Sequence, residues 1–190
     1  SLIAGLSGAA IAIQNGVGGI NMSEWVKVLY GLVASLALGF CIGWLVCKGL
    51  TLLCRRMDRR RTNRFFTGAE IFGAAAMSFM HGAQDGQKFI GVLFLGVAFS
   101  NGMNSVEGVL IPVWLMLLCS AVMGIGTSVG GEKIIKAVGM DMVKLEKYQG
   151  FSADLSAALC LLLSSLFGIP VSTTHTKTSA IMGVGAVKRL

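Results

Sequence analysis

Long uncharged stretches alternate along the chain with short polar ones, and the spacing predicts helices long enough for a bilayer. Residues 28–47 give 20 consecutive uncharged positions and residues 109–131 give 23, close to the number that crosses a hydrocarbon core of about 30 Å as a helix. Residues 65–103 are apolar except for Glu70 and the run His81-Gly-Ala-Gln-Asp-Gly-Gln-Lys88. Two crossings would each be short there, so one long, broken, tilted crossing is expected. Residues 155–176 lack any acid, lysine or arginine, but Gly168-Ile-Pro-Val-Ser-Thr-Thr-His175 interrupts them. The segment restarts over residues 176–187 and stops at Lys188 and Arg189. If those charges and Lys147 share a side, the chain enters, turns at residues 168–175 and returns, which is a re-entrant hairpin.

Both interruptions point to function. Lipid supplies no partners for freed backbone groups, so breaks at membrane depth persist only where protein or a water-filled cavity satisfies them. A pair of Gly- or Pro-broken apolar segments is the usual sequence signature of a transporter binding site.

Composition agrees: 54% of the 190 residues are hydrophobic and 13% charged, against about 25% charged in soluble domains, and mean hydropathy is +0.75. Glycine contributes 26 residues, roughly twice ordinary usage, as expected where membrane helices approach closely. The net charge of +7 does not indicate nucleic acid, because six of the sixteen basic residues lie in the single run 55–64. Beside a span, such a run marks the cytoplasmic side. Lys133, Lys136, Lys144 and Lys147 assign residues 132–150 to the same side, whereas loops 14–24 and 100–108 carry no lysine or arginine and are expected outside. Trp25 and Trp114 then fall near the outer interface and Tyr148 near the inner one. The five cysteines form no CxxC pair and indicate neither zinc nor a disulfide framework.

The opening run Ser1-Leu-Ile-Ala-Gly-Leu-Ser-Gly8 resembles Thr176-Lys-Thr-Ser-Ala-Ile-Met-Gly183, so an internal repeat is expected. The first copy leads into a loop without basic residues and the second into Lys-Arg; opposed copies are the mark of inverted topology. The fold class is therefore an all-α membrane protein, a polytopic bundle with inverted repeats, discontinuous helices and a re-entrant hairpin. Residues 1–64 form the end of an N-terminal repeat with its basic loop, and residues 65–190 a C-terminal repeat, incomplete at its end.

Taken together, the runs 81–88 and 168–175 resemble the second-repeat signature of the PiT family of inorganic phosphate transporters, especially its bacterial members. The resemblance covers essentially the whole chain. It implies a multi-pass helical transporter of the cell membrane that carries phosphate with Na⁺ or H⁺ and binds it between repeats, without a cofactor. The family's Asn-Asp pair falls on Gln84 and Asp85, with glutamine in place of the usual asparagine, and its Ser-Thr-Thr on Ser172, Thr173 and Thr174. The first-repeat copies of both motifs, and a last helix after Leu190, are not in this sequence, so the chain resembles an internal fragment whose partners are the other repeat, the lipid bilayer and, as an open option, a second copy of itself.

The residues support such chemistry in their own right. A dianion leaving water needs many donors, and hydroxyls at a half-helix start supply them together with a favourable dipole. Ser172, Thr173 and Thr174 occupy such a place, although one of them could serve as the helix cap. Asp85 would repel an anion unless a cation intervened; Na⁺ held by Asp85 with the amide oxygen of Gln84 or Gln87, or a proton, would do so. Pairing with Lys88 one turn on is the simpler structural role. Gln87 and Lys88 complete the candidate phosphate ligands, and His81 and His175 flank the motifs as further candidates or as neutral buried imidazoles. Glu70 and Asp154 lie near the expected inner interface and suggest solvated or helix-start roles. No metal centre is expected beyond Na⁺ at Asp85. An intramembrane hydrolase lacks its HExxH or Gly-x-Ser-x-Gly setting, so the chain is not read as an enzyme. A transporter or channel for another oxyanion, or a non-transporting fragment, remains the alternative.

Overall fold

The computed structural model describes residues 2–102, 110–136, 145–169 and 171–187. Six α-helices account for most of them: α1 (Leu2–Gln14), α2 (Met22–Cys54), α3 (Arg59–Ser100), α4 (Val113–Lys136), α5 (Lys147–Leu166) and α6 (Thr173–Val187). A 3₁₀ turn, Val17–Gly19, joins α1 to α2. Residues 103–108 of the expected outer loop and 137–144 of the basic loop, together with Pro170 and the terminal Lys188 and Arg189, lie outside the described residues.

Among the described residues, three helical stretches are long and apolar enough to cross a membrane: Met22–Cys54, Val113–Gly131 and Lys147–Leu166. The surface is correspondingly apolar, with Tyr30, Ile71, Phe72, Phe79 and Val129 all more than two-thirds exposed. Phe79, which the sequence suggests as core, therefore faces outward. The interior is small and hydroxyl-rich: Ser35, Ser152, Ser156, Ser164, Thr173, Thr176 and Ser179 are buried. Such an inside-out distribution suits lipid, where burying apolar side chains between helices brings no hydrophobic gain.

The polar run 81–88 does not break its helix. Helix α3 continues through it for 42 residues, about 63 Å, capped at the start by the Asp58 carboxylate, which accepts from the Arg60 N–H at 3.3 Å. The expected discontinuity is corrected here. The run contains no proline, and Gln84, Asp85 and Lys88 find partners beyond α3, so nothing frees the backbone.

The second interruption does break the chain. After α5, Gly168 takes φ +63°, donating its N–H to Ser165 O at 3.2 Å while Ile169 N–H reaches Ser164 O at 2.9 Å. This is a Schellman ending, and the left-handed position it requires is the one glycine occupies without strain. Ser172 restarts the helix: its Oγ accepts from His175 N–H at 3.4 Å and its carbonyl from Thr176 N–H at 3.0 Å.

Helices α5 and α6 form an antiparallel hairpin, with Met77 of α3, Ala157, Ala158 and Leu161 of α5, and Val171 and Ala180 of the second arm in one apolar cluster. Helix α2 lies along α6 at glycine contacts. A Cβ at Gly43 would sit 2.5 Å from Ala180 O and one at Gly39 2.9 Å from Thr176 O, and Gly183 abuts Phe40 O equally closely. Ser179 Oγ donates across the same seam to Leu36 O. Helix α3 runs parallel to α5, since Glu70 meets Gly150 while Gln84 meets Leu161. The basic run 55–64 and the start of α5 thereby come to one end of the bundle, where Lys147 Nζ donates to Thr67 Oγ1 at 2.9 Å and Phe66 stacks edge-on against Tyr148. A cleft of about 650 Å³ lies there between Thr51, Arg55, Asn63 and Tyr148. Helix α4 is largely exposed along its span, and α1 is tied to α2 by Trp25 Nε1 donating to Ser7 Oγ at 3.1 Å.

Candidate functional site

The two polar runs meet. Helix α3 presents His81, Asp85 and Lys88 at spacings of four and three, which place them on one face, and that face meets the start of α6. Asp85 Oδ1 accepts from Lys88 Nζ at 2.9 Å, and Asp85 Oδ2 accepts from Thr173 Oγ1 at 3.0 Å. His81 Nε2 stands 3.5 Å from the same Oδ2. Lys88 Nζ also donates to Val171 O at 3.1 Å, so one ammonium ties α3 to the strand of chain that leads into α6.

The carboxylate is thus neutralised by protein groups and remains partly open, with the Asp85 side chain 23% and Lys88 38% exposed. Both simple roles weighed from sequence are present in the geometry: Asp85 pairs with Lys88 one turn away, and Ser172 caps α6. Thr173 is the hydroxyl aimed at Asp85, and it is 3% exposed.

The remaining candidates are dispersed. Gln84 turns away from Asp85 toward α5, where its Nε2 donates to Leu161 O at 3.1 Å and to Ser165 Oγ at 2.8 Å. A carbonyl only accepts, which fixes the amide's orientation. The buried Oε1 has no hydrogen-bond partner among the described residues. Gln87, Thr174 and His175 are exposed. Among the described residues no group of three His, Cys, Asp or Glu could hold a metal ion.

Sequence reasoning passed over Ser165 and, more tellingly, Lys177. This lysine of α6 approaches Asp154 of α5 at 3.3 Å, with the Asp154 side chain only 15% exposed. Asp154 is therefore largely withdrawn from solvent and paired, in contrast to the solvated role its position suggested. A lysine one turn inside an apolar helix was the available signal.

A helical bundle with an apolar exterior, three apolar stretches of spanning length among the described residues and ion pairs held at a broken hairpin defines a multi-pass membrane protein. Comparison with known proteins specifies it: the model of the Phosphate transporter family matches residues 48–190, and the chain belongs to that family. It is 35% identical over its whole length to a Bacillus subtilis protein named "Probable low-affinity inorganic phosphate transporter", of which it covers 56%. A Rhizobium meliloti protein of the same name is 34% identical over the whole chain, again with 56% covered. A solved structure named "The sodium-dependent phosphate transporter" superposes with a TM-score of 0.59 at 27% identity, covering 88% of this chain and 49% of that one. The chain spans about half the length of the curated relatives it matches. Those relatives are named as transporters, not enzymes.

Proposed function

We propose that this chain forms one half of the path of an inorganic phosphate transporter driven by a cation gradient. The observation that carries the reading is the junction of Asp85, Lys88 and Thr173 where α3 meets the start of α6. Among the described residues, Lys88 supplies the full positive charge that balances Asp85. A cation arriving at Asp85 would displace both the ammonium and the Thr173 hydroxyl, and those two donors, beside the positive end of α6, would then suit an anion. Neither ion gains a stable place without the other, which is a physical basis for coupling. Ser172, Thr174, Gln87 and His175 line the approach in this reading, and Asp85 with His81 serves the cation, whereas Gln84, turned toward α5, holds α3 against that helix.

The family match and the relatives' names support phosphate as the substrate; the superposed structure, sodium-dependent by its name, supports Na⁺ over H⁺. The second half of the site would come from the other, inverted repeat, with the division falling after residue 64. The hairpin of α5 and α6 would enter the membrane and return to the basic, cytoplasmic end.

The test is uptake of labelled phosphate by the full-length protein in proteoliposomes. Accumulation above equilibrium under an imposed Na⁺ gradient is expected. Simple equilibration would indicate a channel, and no phosphate movement under any gradient would refute the reading.

A further inference from the structure

The cleft at the basic end of the bundle has a chemistry that the Asp85 junction does not use. Three helix ends enclose its roughly 650 Å³: the last turns of α2 with Leu50, the first turns of α3 with Asn63 and Phe66, and the start of α5 with Lys147. Sites for organic ligands run from about 300 to 1,000 Å³. The depth of the cleft follows from α2. Its uncharged stretch 28–47 has 20 residues, about 30 Å of helix, and fills the hydrocarbon core. Leu50 comes three residues past that stretch, about 5 Å further on, so the cleft begins level with the lipid headgroups.

Its walls are of two kinds. Arg55 and Lys147 line one side, and both are exposed. Among the described residues neither lies within ion-pair distance of a carboxylate. Lys147 spends one N–H on the neutral Thr67 hydroxyl and keeps two. The acid that lines the cleft, Glu146, is the N-cap residue of α5, where the positive end of that helix offsets its charge. The cleft is therefore net positive. Leu50, Met57 and Phe66 make the other side, and Leu52, Leu53 and Met57, each more than half exposed, carry apolar surface up to its mouth. A free inorganic anion would use only the basic side. A molecule with an anionic head and acyl chains fits both, and at this depth such molecules surround the helix.

We propose that this cleft binds the headgroup of an anionic phospholipid from the leaflet on the basic side. Its phosphodiester is held by the Arg55 guanidinium, whose fork matches two phosphate oxygens, and by the Lys147 ammonium. The Asn63 amide adds a donor, and the acyl chains follow Leu50 and Met57 into the bilayer. Basic pockets between helices at the cytoplasmic side take such headgroups. A lipid held there ties the ends of three helices together, whatever ion the protein carries.

The experiment titrates the purified full-length protein in a neutral detergent with phosphatidylglycerol or phosphatidylcholine and reads bound lipid by native mass spectrometry. In neutral detergent no charged surface acts at a distance, so direct contacts decide the outcome. Wild type is expected to hold one phosphatidylglycerol per chain in preference to phosphatidylcholine. Arg55→Gln combined with Lys147→Gln should weaken phosphatidylglycerol binding about thirtyfold. Arg60→Gln combined with Arg61→Gln removes the same charge outside the cleft and should leave binding near the wild-type value. If the cleft pair does not fold, Arg55→Gln alone, at an exposed position past the end of α2, should weaken binding about fivefold. Unchanged binding in the cleft variants, equal weakening by the two pairs, or equal binding of phosphatidylcholine overturns the proposal. Displacement of phosphatidylglycerol by inorganic phosphate, compared with chloride at equal ionic strength, would give the cleft to the free anion and overturn it as well.

Discussion

Thr173 and Asp85, 88 positions apart in sequence, are joined by a hydrogen bond of 3.0 Å from hydroxyl to carboxylate. The bond fastens the start of α6 to the middle of α3. Under the function proposed above, it also sets the anion's donor and the cation's acceptor within contact of each other.

Replacing these two residues should therefore separate anion from cation effects in the full-length protein. Thr173→Val keeps the shape and removes one donor; a hydrogen bond to a charged group contributes on the order of 1.5–3 kcal/mol, about ten- to a hundredfold in affinity. Phosphate KM should rise by that factor with ion dependence retained. Asp85→Asn removes the negative charge, and uptake should lose its response to the ion gradient and largely fail. Normal, ion-dependent uptake by Asp85→Asn would reduce Asp85 to a structural partner of Lys88.

The glycine seam between α2 and α6 gives a prediction about stability. Alanine at Gly43 would drive its Cβ to within 2.5 Å of the Ala180 carbonyl oxygen, and overpacking of this kind costs about 1–3 kcal/mol. Alanine at Gly49, in the same helix with open space around it, should be neutral or stabilising by up to about 1 kcal/mol. Melting temperatures in one detergent should order the proteins Gly49→Ala at or above wild type and Gly43→Ala below it.

Gln84→Asn shortens the side chain by one methylene and withdraws its amide from Leu161 and Ser165. Losing a net hydrogen bond of about 0.5–1.5 kcal/mol should lower the unfolding midpoint, and Ser165→Ala should lower it less than additively with Gln84→Asn because both variants remove the same contact. Fully additive effects would show that the two side chains do not act together.

Orientation can be read by labelling. Asn63 lies at the basic end of α3 and Asn101 caps its other end. Single cysteines at these positions in a cysteine-free background should react with an impermeant reagent from outside at Asn101 and not at Asn63. The reverse pattern would invert the assignment.

The sequence announced the membrane setting, the long α2 and the break at residues 168–175, because hydropathy and glycine act locally. It also brought Asp85 and Thr173 under suspicion, since their residue types are costly at such depth. Where it misled was α3: polarity at His81 to Lys88 looks like a helix break, but polar side chains end a helix only if they compete for its backbone, and here Gln84, Asp85 and Lys88 bond outward from α3 instead. The partner of Gln84 could not be read, because it depends on α3 and α5 running side by side in parallel, and that of Asp154 because it depends on how α5 and α6 face each other in the hairpin. No local pattern encodes that register.

Helix α6 is 15 residues long, about 22 Å, and its far end reaches toward the basic end of the bundle. It is too short to span a core of about 30 Å, so in the proposed re-entrant topology its first turn lies inside the low-dielectric layer. The half-unit of positive charge that a helix carries there belongs to the peptide backbone and has no proton to lose. Under the proposed function, part of the attraction for an anion at Thr173 is therefore independent of pH, and any acid–base sensitivity of anion binding there would come from the anion's own ionisation or from the side chains around it.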